Sequence, residues 1–353
     1  MSEVGDLLRD TAERLFADHC DTRTRERAEA GVWPEALWQA LEEAGFPKAL
    51  LPEAAGGSGI AITEALELVR IAARHAAPVP LAESMLAARL LAAAGLPVPD
   101  GPLSLAPVNR SDRLSLARQS GGWRLSGRAR RVPWARQAAA LVLLVEEGNR
   151  TLAVSLPPAA AEIRRGANLA GEPRDEVILD GMLPAEAAGE LEGGLDCERV
   201  LAYGAALRAI QMAGALERVL EITVRYAGER VQFGRPIAKF QAVQQNLAVL
   251  AGQVAAAGAA ADIAAEALAA DASPLAIASA KTRAGEAAGI GAAIAHQVHG
   301  AIGFTAEYAL QLSTRRLWSW RDEFGNESEW AALIGRQAAA QGADRLWVTI
   351  TAI

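Results

Sequence analysis

From about Glu198 onward the sequence carries an alanine-rich helical pattern that is broken sharply within Arg230-Val-Gln-Phe-Gly-Arg-Pro-Ile-Ala-Lys-Phe-Gln241. Before the break, Leu216, Leu220 and Val224 recur at i, i+4 and i+8, which places them on one helical face. Gly234 and Pro236 end that face, because glycine tolerates a left-handed backbone and proline has no N–H to donate. A second long helix is expected from about Gln241. The spacing therefore predicts a helix–turn–helix corner that presents Arg230, Gln232, Arg235, Lys239 and Gln241. Guanidinium forks beside the free N–H groups of a helix start make an anion site.

The chain is 353 residues long, enough for two or three domains. Although 51% of it is hydrophobic, no uncharged apolar run reaches the length of about 18 residues that a membrane span needs. No membrane span is therefore expected. The opening Met-Ser-Glu-Val-Gly-Asp is acidic and has no apolar signal core. A net charge of −7 argues against a nucleic-acid partner, which selects for a basic face. Cys20 and Cys197 belong to no CxxC pair and read as thiols in a reducing compartment, so a cytoplasmic location is expected. His296 and His299 lie three apart but lack further ligands nearby, so no metal site is expected.

Residues 1–104 read as helices. Pro34 sits at a first turn and Gly45 at a stop, a Gly-rich loop fills 51–59, and Ile62 to His75 is amphipathic. Between about 105 and 190 the pattern changes to short strand-like runs: Leu103 to Val108, Trp123 to Leu125, Leu141 to Val145, Leu152 to Leu156 and Val177 to Leu179. Glu147-Gly148-Asn149 marks a hairpin turn. These runs predict a small antiparallel barrel or sandwich. Residues 191–353 are helical again, and Leu250 to Ala270 is expected to be tightly packed helix because alanine combines high helix propensity with small size. The division is thus an N-terminal helical domain (1–104), a middle β domain (105–190) and a C-terminal helical domain (191–353), an α+β chain.

Two stretches, Tyr226-Ala-Gly-Glu-Arg-Val-Gln-Phe-Gly-Arg-Pro-Ile237 and His296-Gln-Val-His-Gly-Ala-Ile-Gly-Phe-Thr-Ala-Glu-Tyr308, resemble the C-terminal helical domain of acyl-CoA dehydrogenases in order and spacing. The resemblance implies that family's fold: N-terminal helices, a small middle β-barrel and a C-terminal four-helix bundle. It also implies FAD as cofactor, an acyl-CoA substrate, an oligomer such as a tetramer, electron-transfer flavoprotein as acceptor and a place in lipid degradation. Carried over residue by residue, it assigns cofactor contacts to Arg230, Gln232, Phe233, Gln241, Gln297, Gly300 and Ala301. In relatives the arginine reaches the FAD of a neighbouring subunit. The family's second loop glycine is Ala301 here.

The sequence departs from the family where the chemistry should be. These enzymes need a carboxylate over the substrate Cα. The usual glutamate position falls on Phe324, with Glu323 one place early, and one residue turns a helical side chain by roughly 100°. Asp322, Glu323 and Glu327 read either as a solvated acidic segment or as carrying a shifted base at Glu323. The alternative family position falls near Gly204, with no carboxylate beside it. Where relatives lay a Trp-Ile-Thr segment on the flavin ring, this chain reads Arg131-Val-Pro-Trp-Ala135, and Pro133 cannot donate an N–H. Trp134 is either a displaced stacker or a β-domain surface residue. Trp318 and Trp320 with Arg315, Arg316 and Arg321 are either an interface hot spot or a partly buried helix.

Three readings follow. The first is a subunit of a hetero-oligomeric acyl-CoA dehydrogenase that donates FAD contacts to an intact partner. The second is a complete homo-oligomeric enzyme with Glu323 as base. The third is a non-catalytic scaffold.

Overall fold

The computed structural model describes residues 3–270 and 274–351; residues 1–2, 271–273 and 352–353, to which the expected terminal helical segments also extend, lie outside the described residues. The chain forms two compact units, Met1–Leu68 with Pro78–Gly204, and Val69–Ala77 with Ala205–Ile353.

In the first unit, helices α1 (Glu3–His19), α2 (Thr22–Glu29), α3 (Glu35–Glu43), α4 (Ile62–Arg74, whose last turns belong to the second unit) and α5 (Leu81–Ala93) precede the strands. Helix α5 is apolar almost all round and buried almost all round, as a central helix should be. Ser84 on α5 accepts the N–H of Leu103 at 2.9 Å, which pins the first strand to it.

Eight strands follow: β1 (Leu103–Ala106), β2 (Arg113–Gln119), β3 (Gly122–Pro133), β4 (Ala140–Glu147), β5 (Arg150–Leu156), β6 (Glu162–Arg164), β7 (Arg174–Leu183) and β8 (Ala188–Glu190). They form two sheets of order β1-β4-β5-β8 and β2-β3-β7-β6. The two sheets share one core, in which Leu125, Val132 and Val177 meet Leu141, Leu143 and Val154. Among the described residues no ladder joins one sheet to the other, so the expected closed barrel is a two-sheet sandwich. Its edge strands β6 and β8 have three residues each, too short to carry closure. The predicted hairpin joins β4 to β5 through Gly148 and Asn149, with Gly148 at φ +62°. The β1–β4 pair is parallel, against the antiparallel expectation. Strand β2 escaped sequence reading because it is largely solvated and carries little alternation.

The second unit is helical. Helix α6 (Cys197–Glu229) runs into a small hairpin, β9 (Val231–Gln232) and β10 (Arg235–Pro236), then α7 (Gln241–Ala269), α8 (Pro274–His299), α9 (Leu310–Asp322), α10 (Glu327–Gln341) and α11 (Leu346–Thr351). Helix α7 buries Leu250, Val254, Ala257, Ala261, Ala264 and Leu268, a three–four spacing that forms one stripe. Against α7 lies α8, whose buried face is mostly alanine. A Cβ at Gly291 would stand 2.7 Å from Leu216 of α6 and 3.3 Å from Leu250 of α7, so any larger residue would displace the leucines packed there. Arg70, on the end of α4, ties α6 to α7 by pairing with Glu217 and, at 3.1 Å, with Asp262. By length and composition α7 could cross a membrane, but its stripe is committed to packing within this unit.

Candidate functional site

The corner after α6 is built by its own hydrogen bonds. Arg230 donates its N–H to the Tyr226 carbonyl at 2.8 Å and accepts from the Ile237 N–H at 2.8 Å. Between them Gln232 pairs with Arg235, leaving Phe233 (φ +50°) and Gly234 (φ +76°) as the two turn residues. Two left-handed residues in sequence make the hairpin turn whose twist suits its strands. Glycine adopts that backbone freely, whereas Phe233 adopts it under strain and projects its ring into solvent at 92% exposure. The Arg235 guanidinium lies 4.3 Å over the Phe240 ring, and Phe233 meets the same ring edge-on at 6.1 Å. Helix α7 begins immediately afterwards with no side-chain cap at Phe240. Its first-turn N–H groups are therefore open to an anion in a field set by Arg230, Arg235 and Lys239.

The second stretch closes α8. Gln297 is exposed on the last helical turn, and Gly300 at φ +64° has nothing within 4 Å of where a Cβ would stand. Ala301 follows, also exposed. Arg230, Gln232, Phe233, Gln241, Gln297, Gly300 and Ala301 are thus all exposed, four at the corner and three at the end of α8.

Glu323 is differently placed. Its side chain is 12% exposed, and its carboxylate accepts the Nε–H of Arg208, itself 1% exposed, at 2.8 Å. The Arg208 guanidinium also lies 5.3 Å from the Phe324 ring. Fully buried Lys281 donates to the carbonyls of Arg321 at 2.6 Å and Gly325 at 2.9 Å. Burial, opposed by Glu327 and Glu323, brings its pKa down to about 8. Sequence reasoning missed Arg208 and Lys281. A signal for Arg208 existed: it is the sole charge between Arg199 and Glu217 in an apolar helical run.

Trp134 is neither a surface residue nor a free stacker. A bulge between Ala129 and Val132 sets Arg131 at φ +56°, and Trp134 at φ +57° turns inward, 5% exposed, with its ring edge-on to Trp33 at 6.2 Å. Nor is the tryptophan–arginine segment of α9 an exposed patch: Arg316 and Trp320 are buried, and Trp318 stacks on His296 at 5.3 Å. The first unit holds a polar cavity of about 300 Å³ between the β1–β2 loop and the start of α6, lined in part by Pro107, Asn109, Arg110, Glu146, Cys197 and Glu198. Burial first, then Glu146, pushes the Cys197 thiol up to about 12, so it is no nucleophile.

Family models agree with this arrangement in both units: the acyl-CoA dehydrogenase N-terminal domain matches residues 2–97, and the acyl-CoA dehydrogenase C-terminal domain matches 193–328. The chain belongs to the acyl-CoA dehydrogenase family. Acyl-CoA dehydrogenase IpdE2 of Mycobacterium tuberculosis is 31% identical over 321 residues, covering 89% of this chain and 91% of that protein. The fold is shared with butyryl-CoA dehydrogenase from Megasphaera elsdenii (TM-score 0.86, 19% identity, 96% and 98% of the two chains). It is also shared with one chain of the ChsE4–ChsE5 complex from Mycobacterium tuberculosis (TM-score 0.85, 23% identity, 97% and 99% of the two chains). Acyl-CoA dehydrogenases are oxidoreductases, and their cofactor is FAD. The donor set at the corner fits the diphosphate of that cofactor: two arginines, a lysine, two glutamines and an uncapped helix start. The 131–135 segment does not fit its ring, since Pro133 lacks an N–H and Trp134 is packed inward.

Proposed function

We propose that this chain works in the α,β-dehydrogenation of an acyl-CoA thioester as one subunit of a hetero-oligomer, and that it contributes to an FAD held by an intact partner subunit. The reaction removes a proton from Cα and a hydride from Cβ, and the flavin supplies the hydride acceptor. In this reading Arg230 and Gln241 face the cofactor diphosphate across the subunit boundary, with Gln232 and Phe233 beside them. Gln297, Gly300 and Ala301 complete the surface. The partner supplies the base and the ring pocket, and electron-transfer flavoprotein takes the electrons onward in the cytoplasm.

The observation that carries this reading is the division of the donor set. The candidate cofactor contacts are all exposed, whereas the candidate base, Glu323, is held by buried Arg208. A carboxylate that is 12% exposed and accepts from a buried guanidinium through Oε2 is poorly placed to take a proton from substrate. We assign Glu323 as the counter-ion of Arg208. A chain of a structure named as the ChsE4–ChsE5 complex shares the fold, and a complex of two differently named proteins lends the hetero-oligomer support.

The test is to purify the chain alone, and again with an intact acyl-CoA dehydrogenase subunit from the same organism, and to record visible flavin absorbance and acyl-CoA oxidation. The expected result is a colourless, inactive chain and a yellow, active pair. A stoichiometrically yellow chain that oxidises acyl-CoA unaided would overturn the assignment.

A further inference from the structure

The corner and the α8 loop are joined by one pair of rings. Tyr226 lies on α6 one turn before Arg230, and its carbonyl receives the Arg230 N–H. Its ring stacks on the His299 imidazole, with centroids 4.4 Å apart and planes inclined by 23°. Its hydroxyl donates to the His299 carbonyl at 3.4 Å, a long bond. His299 ends α8, between Gln297 and Gly300. Tyr308 meets Tyr226 edge-on at 5.9 Å and His299 at 5.1 Å, closing a three-ring cluster.

His299 is held as a neutral ring. Its Nδ1 lies 2.7 Å from the Ala295 carbonyl, which only accepts, so Nδ1 carries the hydrogen. Its Nε2 is buried with no hydrogen-bond partner. The groups facing it carry no negative charge: Tyr226 from α6, His296 and the Ala295 carbonyl from α8, and Tyr308 ahead of α9. His296 is itself buried, bonded through Nε2 to Thr314 at 2.9 Å and stacked between Phe304 and Trp318. Glu229, Arg225 and Arg218 act on Tyr308, and among the described residues no charged side chain acts on His299. Burial holds the pKa of both imidazoles below the ordinary histidine value.

We propose that Tyr226 and His299 are positioning residues whose stack locks the Arg230 corner and the Gln297–Ala301 loop into one cofactor-facing surface, and that this surface loosens when His299 takes up a proton. The proposal rests on the cofactor-facing role given to these stretches under the proposed function. A proton on Nε2 would have to be solvated in a site that offers it no acceptor, so the ring must leave the stack to be charged. Movement of that ring reaches Arg230 through Tyr226 and the loop through the His299 backbone.

Amide hydrogen exchange on the full chain, without flavin or partner, tests the coupling. The probes are the amides of Arg230, bonded to Tyr226, and of Thr305, bonded to Ile302. His299→Ala is expected to speed exchange at both together, by about tenfold, the scale of one lost aromatic pair. Between pH 8 and pH 5.5, after correction for intrinsic chemistry, wild type should lose protection at both, whereas His299→Phe, which stacks but cannot be charged, should hold it. The proposal falls if Arg230 stays protected in His299→Ala, or if wild type and His299→Phe share one pH profile. If His299→Ala does not fold, the pH comparison decides alone. FAD content of the assembled pair separates the two claims: coupled exchange with unchanged FAD retention supports the stack and strikes at the cofactor role instead.

Discussion

Arg208 Nε and Glu323 Oε2 meet at 2.8 Å across 115 positions of sequence, joining α6 to the turn between α9 and α10. That turn is over-determined. Lys281 holds the carbonyls of Arg321 and Gly325, Trp330 Nε1 holds that of Phe324 at 3.0 Å, and Arg321 pairs with Glu327. Phe324 sits at φ +56°, a backbone that persists only where its surroundings fix it.

Arg208→Leu removes one half of a buried pair and leaves the Glu323 charge without its partner. We expect a loss of about 3–5 kcal/mol in urea unfolding. The double variant with Glu323→Leu should recover most of it, because neither charge is then stranded.

Lys281 makes stability depend on alkaline pH. Its pKa is about 8 in the fold and 10.5 ordinarily, so the unfolded chain binds that proton more tightly. Stability therefore rises as pH climbs from 8 towards 10.5, by up to about 3 kcal/mol in full. Tyr308, whose pKa burial raises, pulls the other way near and above 10. Urea midpoints should increase between pH 8 and pH 9.5, and Lys281→Met should flatten that slope.

Phe233→Asn puts a residue that tolerates left-handed backbone at a site where phenylalanine is strained. The isolated chain should gain about 0.5–1 kcal/mol in thermal unfolding. Assembly with the partner should weaken, since the exposed ring is lost.

Arg230→Ala should leave the melting temperature of the free chain within about 1 °C, because the side chain is exposed. In the assembled pair it should lower the flavin content, read as visible absorbance per mole of protein.

Trp134→Ala opens a hole beside Trp33 in a close-packed interior. The expected cost is about 3–5 kcal/mol in chemical denaturation of the free chain.

The helices were legible because their signal is local: three–four spacing, proline at α3, and glycine with proline at the corner. The strands with apolar runs were legible for the same reason, and polar β2 was not. Closure of the β domain was not legible, because strand composition does not say which edges pair. Nor does composition reveal the parallel β1–β4 contact. At the site, motif residues that lie together in sequence were readable. Arg208, Lys281 and Glu323 were not readable as one cluster, since only tertiary packing brings α6, α8 and the 321–327 turn together. Trp134 was ambiguous because a bulge two residues upstream decides which way it points.

The alanine seam between α7 and α8 sets a steric ceiling on what this half of the molecule can become. Ala284, Ala287 and Ala288 are wholly buried, and at Gly291 an added methyl would have to push Leu216 and Leu250 aside. Larger side chains there would have to force the helices apart, whereas the outward faces carry no such restriction. The compositional monotony of the stretch is thus an imprint of helix separation.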